Sequence, residues 1–166
     1  LIEHLKKSDL YDKSIIVLLS DHGEGLGDHG EEEHGVFLYR EALQVPLIVK
    51  LPRSARGGER VVRPVQLADV APTIAHLTGV ELLSKSKGLN LLDAKALEPN
   101  RRLYAETLYP RLHLGWSELR SLVDERFHYI ESPKPELFDL VADPAERKSV
   151  LADQRREYAS MREELA

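Results

Sequence analysis

Residues 14–39 read SIIVLLSDHGEGLGDHGEEEHGVFLY. The stretch opens on a β-branched apolar run, Ile15 to Leu19, with the length and composition of a strand buried on both faces. The run stops at Ser20, and Asp21, His22 and Gly23 follow at once. A carboxylate and an imidazole at the carboxyl end of a buried strand lie where open α/β sheets gather their ligands. Beyond them the chain is glycine-rich and acidic. From Ser20 to Tyr39 there are six Asp or Glu, three His and no Lys or Arg. Packed together without a cation, that many acceptors repel one another. The stretch reads as half of a divalent-metal site and the loop that closes over its substrate.

The rest of the chain bounds the possibilities. Its 166 residues are enough for one domain with a real core. Hydrophobic content of 42% and charged content of 31% are those of a soluble globular protein. A formal net charge of −5 argues against a nucleic-acid partner. The absence of cysteine removes disulfides, thiolate metal ligands and a cysteine nucleophile from these residues, and leaves the compartment open. No apolar run is long enough to span a bilayer.

Leu1, Ile2, Leu5 and Leu10 give a short amphipathic helix feeding the first strand. A chain that opens on the end of a helix is expected to be part of a longer protein. Leu38 to Ala42 reads as a helical turn, Pro46 to Leu51 as a second short strand, Pro52 to Glu59 as an exposed turn, and Arg60 to Pro64 as an edge strand. Leu67 to Leu77 has helical apolar spacing, with Asp69 as N-cap, Pro72 in the first turn and Gly79 as the left-handed cap. Ser84 to Asn100 is a polar loop. Arg102 to Thr107 reads as a strand and Leu108 to Trp116 as a loop. Glu118 to Val123 and Arg126 to Glu131 alternate around Asp124-Glu125 as a hairpin, and Glu136 to Val141 is a further strand. Asp143-Pro144-Ala145-Glu146 carries every local signal of a helix start. The final helix sets Leu151, Tyr158, Met161 and Leu165 on one side. Tyr104, Tyr129 and Phe138 read as core.

Asp21-His22-Gly23-Glu24, Leu26-Gly27-Asp28-His29-Gly30, His34-Gly35, Leu38-Tyr39, Glu41 and Val45-Pro46-Leu47-Ile48-Val49 resemble, in order, the carboxyl-terminal half of the sulfatase family, within the alkaline-phosphatase-like superfamily. Gly88-Leu89-Asn90-Leu91-Leu92, Trp116-Ser117-Glu118-Leu119-Arg120, Glu136-Leu137-Phe138-Asp139-Leu140 and Asp143-Pro144 continue the match, which covers nearly the whole chain. The resemblance implies an α/β fold. Residues 1–100 would be the carboxyl-terminal part of an alkaline-phosphatase-like mixed sheet. Residues 101–166 would be a small antiparallel β subdomain with a terminal helix.

It also implies a site. Asp21 and His22 match metal ligands, although many members carry Asn at the second place. Taken alone, the pair favours a solvated turn. His34 matches a Lys or His that touches the sulfuryl group, where it would neutralise charge or protonate the leaving oxygen. Imidazoles as a class titrate near neutral pH, which suits such a donor. Asp28 and His29 match a pair that shapes the loop. Glu31, Glu32 and Glu33 read as a solvated face. His113 and Trp116, with Arg111, lie where the family's closing unit leans over the active-site mouth. They are candidates for contact with a sugar or aryl group, or else a core Trp beside a surface His. His4, His76 and His128 have no constellation around them.

Calcium is the family's usual ion, and an imidazole ligand leaves manganese or zinc open. The family's nucleophile is a formylglycine made from a Cys/Ser-x-Pro-Ser-Arg motif in the amino-terminal half. That motif, the first Asp-Asp metal pair and the upstream Lys and His of the pocket do not occur in this sequence. These residues alone are therefore expected to bind metal weakly and turn over nothing. One sheet face is expected to be uncovered and prone to association. The implied substrate is a sugar or aryl sulfate ester, and the implied location is periplasmic or extracellular. A phosphodiester or phosphonate hydrolase, or a phosphoglycerol or phosphoethanolamine transferase, of the same superfamily is the alternative. A non-catalytic binding remnant is a further one.

Overall fold

The computed structural model describes residues 1–82, 86–93 and 98–166. Two antiparallel sheets organise it. β1 (Ile16–Leu19) pairs with β2 (Leu47–Lys50), Val17 opposite Val49 and Leu18 opposite Ile48. β3 (Leu103–Thr107), β4 (Leu119–Val123), β5 (Phe127–Glu131) and β6 (Glu136–Asp139) follow one another as a meander. The helices are α1 (Ile2–Lys7), α2 (Arg40–Leu43), α3 (Val70–Thr78), α4 (Tyr109–Leu114) and α5 (Arg155–Leu165).

The first sheet corrects one expectation. β1 is not buried on both faces. Val17 and Val49 share an apolar space with Ile74 and Leu77 of α3. On the other face Leu18 is 54% and Ile48 61% exposed. An apolar run signals that a strand must be covered, not which residues cover it, and among the described residues nothing covers this face.

α3 ends on Gly79 at φ 70, in the left-handed conformation glycine adopts without strain. Its start differs from the reading. Asp69 is not a simple N-cap. It closes a 3₁₀ turn, Leu67–Asp69, in a reciprocal capping box with Gln66. Its side chain is fully buried and takes two bonds from Arg101, at 2.7 and 2.8 Å, and one from the Leu89 N–H at 2.8 Å. Gly88 to Leu92 thereby docks on the start of α3. Residues 83–85 and 94–97 of the expected polar loop lie outside the described residues.

Three further readings change. Arg60 to Pro64 forms no strand, and Val62 is 84% exposed. Leu108 to Trp116 is largely α4, because Pro110 sits in the first turn and Gly115 caps the end at φ 69. Asp143 to Glu146 starts no helix. Glu146 turns into the left-handed region at φ 53, its side chain is engaged elsewhere, and α5 begins at Arg155.

The meander carries the core. Leu122, Phe127, Tyr129 and Leu137 pack on Met161, flanked by Tyr158 and Leu165. Its other face meets residues 29–42. The Tyr39 hydroxyl donates to Glu136 at 2.8 Å, and its ring meets Phe138 edge-on at 6.0 Å. The Thr107 hydroxyl donates to the Gly35 carbonyl at 2.5 Å. β5 is therefore the strand covered on both sides, from Phe127 to Ile130. Tyr104 departs from the expected core and is 48% exposed.

Burial opposes ionisation of Asp69, but Arg101 and the N–H groups of Gln66 and Leu89 outweigh it and hold its carboxyl below the usual range. Its contribution is present above the unfolded carboxyl value and is lost as pH falls through the folded one. Asp69→Ala removes the buried carboxylate that Arg101 and the N–H groups of Gln66 and Leu89 share, and is expected to cost about 3 kcal/mol. Urea unfolding at neutral pH measures this. The difference from wild type should shrink in acid, and a loss unchanged at acid pH would contradict the ion-pair account.

Candidate metal and ester site

The site begins where β1 ends. Ser20 Oγ donates to the His22 carbonyl at 2.7 Å, turning the chain out of the strand. The Gly23 N–H then donates to the Ala42 carbonyl at 2.8 Å. A Cβ at Gly23 would run into the Glu41 carbonyl, and one at Gly25 into the Glu31 carbonyl. Both glycines are required by close backbone approach. Gly25 and Gly27 donate to the Glu33 and Glu31 carbonyls at 2.6 and 2.9 Å, doubling the loop back on itself.

This fold-back brings His34 onto His22. Their rings stack at 3.7 Å with 22° between planes. Glu24 lies beside both, with Oε1 2.8 Å from His34 Nδ1 and 3.7 Å from His22 Nδ1. One ligand atom from each of His22, Glu24 and His34 falls within 4.8 Å of the others. Asp21 Oδ1 stands 3.7 Å from His22 Nε2, with its side chain 86% exposed. Ligands of one divalent cation, at bonds of about 2.0–2.5 Å, stand no more than about 5 Å apart. Asp21 with His22, and His22 with Glu24 and His34, meet that spacing.

Hydrogen bonding assigns the nitrogens. His22 Nδ1 lies 2.8 Å from the Gly23 carbonyl, which can only accept, so Nδ1 carries the proton and Nε2 is the free ligand atom. His34 Nδ1 faces the Glu24 carboxylate in the same way and leaves its Nε2 free. The Gly23 carbonyl, helped by the Asp21 and Glu24 charges, outweighs desolvation and raises the His22 pKa. A cation at Nε2 therefore competes with a proton.

The structure thus brings Asp21, His22 and His34 to the tip of β1. It adds Glu24, which stands in the motif two residues from His22 and was given no role from sequence. His113 and Trp116 are elsewhere. His113 stacks on Tyr109 at 4.5 Å, and Trp116 is 60% exposed. Among the described residues no hydrogen bond or ring contact joins either to His22, Glu24 or His34. Arg111 pairs with Glu118 at 2.5 Å.

Two supporting residues escaped the sequence reading. Glu31 is not on a solvated face. It is 7% exposed, and its two oxygens accept the Val36 and Phe37 N–H groups at 2.7 and 3.1 Å, closing the turn that carries His34. Nothing in the run Glu31-Glu32-Glu33 distinguishes it. His128, set aside from sequence, is buried against Glu146 at 2.6 Å. His29 does shape the loop. It stacks on Tyr39 at 3.8 Å and places Nδ1 2.6 Å from Glu41 and Nε2 3.1 Å from the Glu146 carbonyl.

The sulfatase family model matches residues 1–80. The chain is 30% identical to an N-acetylglucosamine-6-O-sulfatase of Bacteroides thetaiotaomicron, over 99% of its own length and 31% of that protein. It spans less than a third of the relative it matches. Among solved structures, a phosphonate monoester hydrolase of Agrobacterium radiobacter superposes with a TM-score of 0.78 at 25% identity, over 98% of this chain and 36% of the other. A protein solved with its substrate D-glucosamine-2-N,6-O-disulfate gives a TM-score of 0.74 at 25% identity, over 99% and 36%. The fold they share is the alkaline-phosphatase-like one.

His29 supplies a pH test. Burial disfavours its charged form, but Glu41 and the Glu146 carbonyl outweigh it and raise the pKa. Its stabilisation is complete below the ordinary histidine value of about 6.5 and is lost as pH rises through the folded value. Histidine NMR titration should place the His29 midpoint above the ordinary value, and Glu41→Gln should lower it. A midpoint at or below the ordinary value would refute the assignment.

Proposed function

This chain belongs to the sulfatase family of the alkaline-phosphatase-like superfamily, and from that membership we propose that it carries the metal-binding and leaving-group residues of a sulfuric ester hydrolase. The observation that supports this is the meeting of His22, Glu24 and His34 within 4.8 Å at the tip of β1. In this reading Asp21 and His22 Nε2 hold a divalent cation, calcium in keeping with the family, with manganese or zinc admitted by the imidazole. Bound there, the cation would neutralise the sulfuryl oxygens. As the imidazolium, with Nδ1–H on Glu24, His34 would donate its Nε2 proton to the leaving oxygen and be left neutral with that proton transferred, while Glu24 fixes the ring. The nucleophile is a formylglycine outside these residues.

The proposed substrate is a sulfated sugar, with aryl sulfates as simpler probes. The N-acetylglucosamine-6-O-sulfatase relative supports the sugar. Trp116 and His113 are proposed to meet it at the rim of the pocket, where an exposed indole suits a sugar face. Residues 1–100 and 101–166 are read as parts of two units, and the location as periplasmic or extracellular. A second reading, phosphonate or phosphodiester hydrolysis, is favoured by the phosphonate monoester hydrolase likeness. It is also favoured by His22 and His34, which stand where many sulfatases carry Asn and Lys.

In the full-length protein, 4-nitrophenyl sulfate should be hydrolysed faster than phenyl phosphonate, and the reverse order selects the second reading. On N-acetylglucosamine 6-sulfate, whose leaving alkoxide needs a proton, His34→Ala should lower kcat by about 10²–10⁴-fold. His22→Ala should weaken calcium or manganese binding by calorimetry. These 166 residues alone should show no metal-dependent turnover of an aryl sulfate. Observed turnover would overturn the assignment of the nucleophile to other residues.

The apolar face of Leu18 and Ile48 is proposed to pack against the rest of such a protein. Produced alone, the chain should therefore associate with rising concentration in sedimentation velocity. Leu18→Glu with Ile48→Lys should reduce that association, and a strictly monomeric wild type would count against it.

A further inference from the structure

We propose that Glu146 is a positioning residue for His34, one buried side chain and its carbonyl pinning both ends of the loop that carries this histidine. The inference rests on the role of His34 proposed above.

His34 lies between His29 and Arg40. At the first end, His29 Nε2 donates to the Glu146 carbonyl at 3.1 Å. At the second, the Arg40 backbone N–H donates to Glu146 Oε2 at 2.8 Å, and the Arg40 guanidinium donates to the Pro144 carbonyl at 2.9 Å. The remaining oxygen, Oε1, meets His128 Nδ1 at 2.6 Å, which ties Glu146 to β5. Glu146 is 1% exposed. It takes φ 53, a conformation that a side-chain-bearing residue keeps only where its surroundings hold it.

The span between the pins is stiff. Glu31 bridges the Val36 and Phe37 N–H groups, and Thr107 holds the Gly35 carbonyl. Among the described residues, His34 itself, half-exposed, meets Glu24 and the face of His22. A shift at either end therefore carries the ring with it. The segment after the meander sets where His34 stands relative to Asp21 and His22.

The test uses the full-length protein and two esters. N-acetylglucosamine 6-sulfate leaves as an alkoxide and needs the His34 proton. 4-Nitrophenyl sulfate leaves as a stabilised phenoxide and does not. Glu146→Ala removes the pin. His29→Phe keeps the stack on Tyr39 but loses both hydrogen bonds. Glu146→Gln can still accept from Arg40, and its amide can donate to His128 Nδ1 once the His128 proton moves to Nε2. Glu146→Ala and His29→Phe should lower kcat on the sugar sulfate by about tenfold or more, and on the aryl sulfate by less than about threefold. Calcium binding by calorimetry should be unchanged, and Glu146→Gln should restore the sugar-sulfate rate.

An equal fall on both esters, an unaffected Glu146→Ala, or a Glu146→Gln as damaged as the alanine variant overturns the proposal. Should Glu146→Ala fail to fold, His29→Phe carries the comparison. Should the wild type hydrolyse neither ester, the sulfatase reading fails, and ¹⁵N-histidine spectra still decide the positioning. His29→Phe must move the His34 resonances and Glu146→Gln must leave them, whereas an unmoved His34 in His29→Phe overturns the proposal.

Discussion

Backbone lies against backbone at Gly23, and the site follows from that contact. Its N–H donates to the Ala42 carbonyl at 2.8 Å, with the Glu41 carbonyl where a side chain would stand. The chain leaving β1 is therefore laid directly on α2. Asp21 and His22 precede that contact, and α2 ends the loop from Asp28 to Tyr39. The two halves of the acidic stretch are forced into one place. A side chain at Gly23 would push α2 away and separate His22 from His34 without touching either.

The crowding of acids is resolved in a way that charge counting does not reveal. Glu31 satisfies its oxygens on two backbone N–H groups, Glu41 on His29, and Glu24 on His34. Each is a local solution in which a donor approaches a carboxylate closely enough to offset repulsion. Asp28, Glu32 and Glu33 are exposed to solvent, which screens them, and Asp21 keeps its charge beside His22 Nε2. The fold pairs the acids nearest the imidazoles and leaves Asp21 as a hard oxygen where a cation could be shared. Glu146 and Asp69 follow the same rule at greater depth, each with donors from more than one element.

Local signals made much of the fold legible. Gly79 was readable as a cap, the alternation around Asp124-Glu125 as a hairpin, and Tyr158, Met161 and Leu165 as one helix face. Each depends on residues within a few positions. Readings failed where a distant partner decided the conformation. Asp143-Pro144-Ala145-Glu146 has the chemistry of a helix start, but the Glu146 carboxylate is engaged by Arg40, 106 positions away, and cannot also cap a helix. Pro110 and Gly115 lie in the stretch from Leu108 to Trp116 that reads as a loop. They are instead the two ends of a short helix. At the site, Asp21, His22 and His34 were legible through motif and resemblance. Glu31 was not, because three consecutive glutamates differ only in which one faces two N–H groups.

His34 is subject to two competing demands, and its hydrogen bond bears on which can be met. Its donor set with His22 and Glu24 suits a borderline ion better than calcium, which prefers oxygen alone. An imidazole that coordinates a cation through Nε2 has no lone pair or proton left for an ester. The Glu24 carboxylate accepts from Nδ1 and aims Nε2 outward, where the neutral ring could ligate and only the imidazolium could donate. Asp21 tips the balance. It offers a hard oxygen 3.7 Å from His22 Nε2, on the side of His22 away from its Gly23 bond. A cation shared by Asp21 and His22 does not require His34, so the second histidine can remain a donor. In the proposed reading the two tasks would be separated by the two carboxylates beside the stacked imidazoles, Asp21 for an ion and Glu24 for the ring of His34.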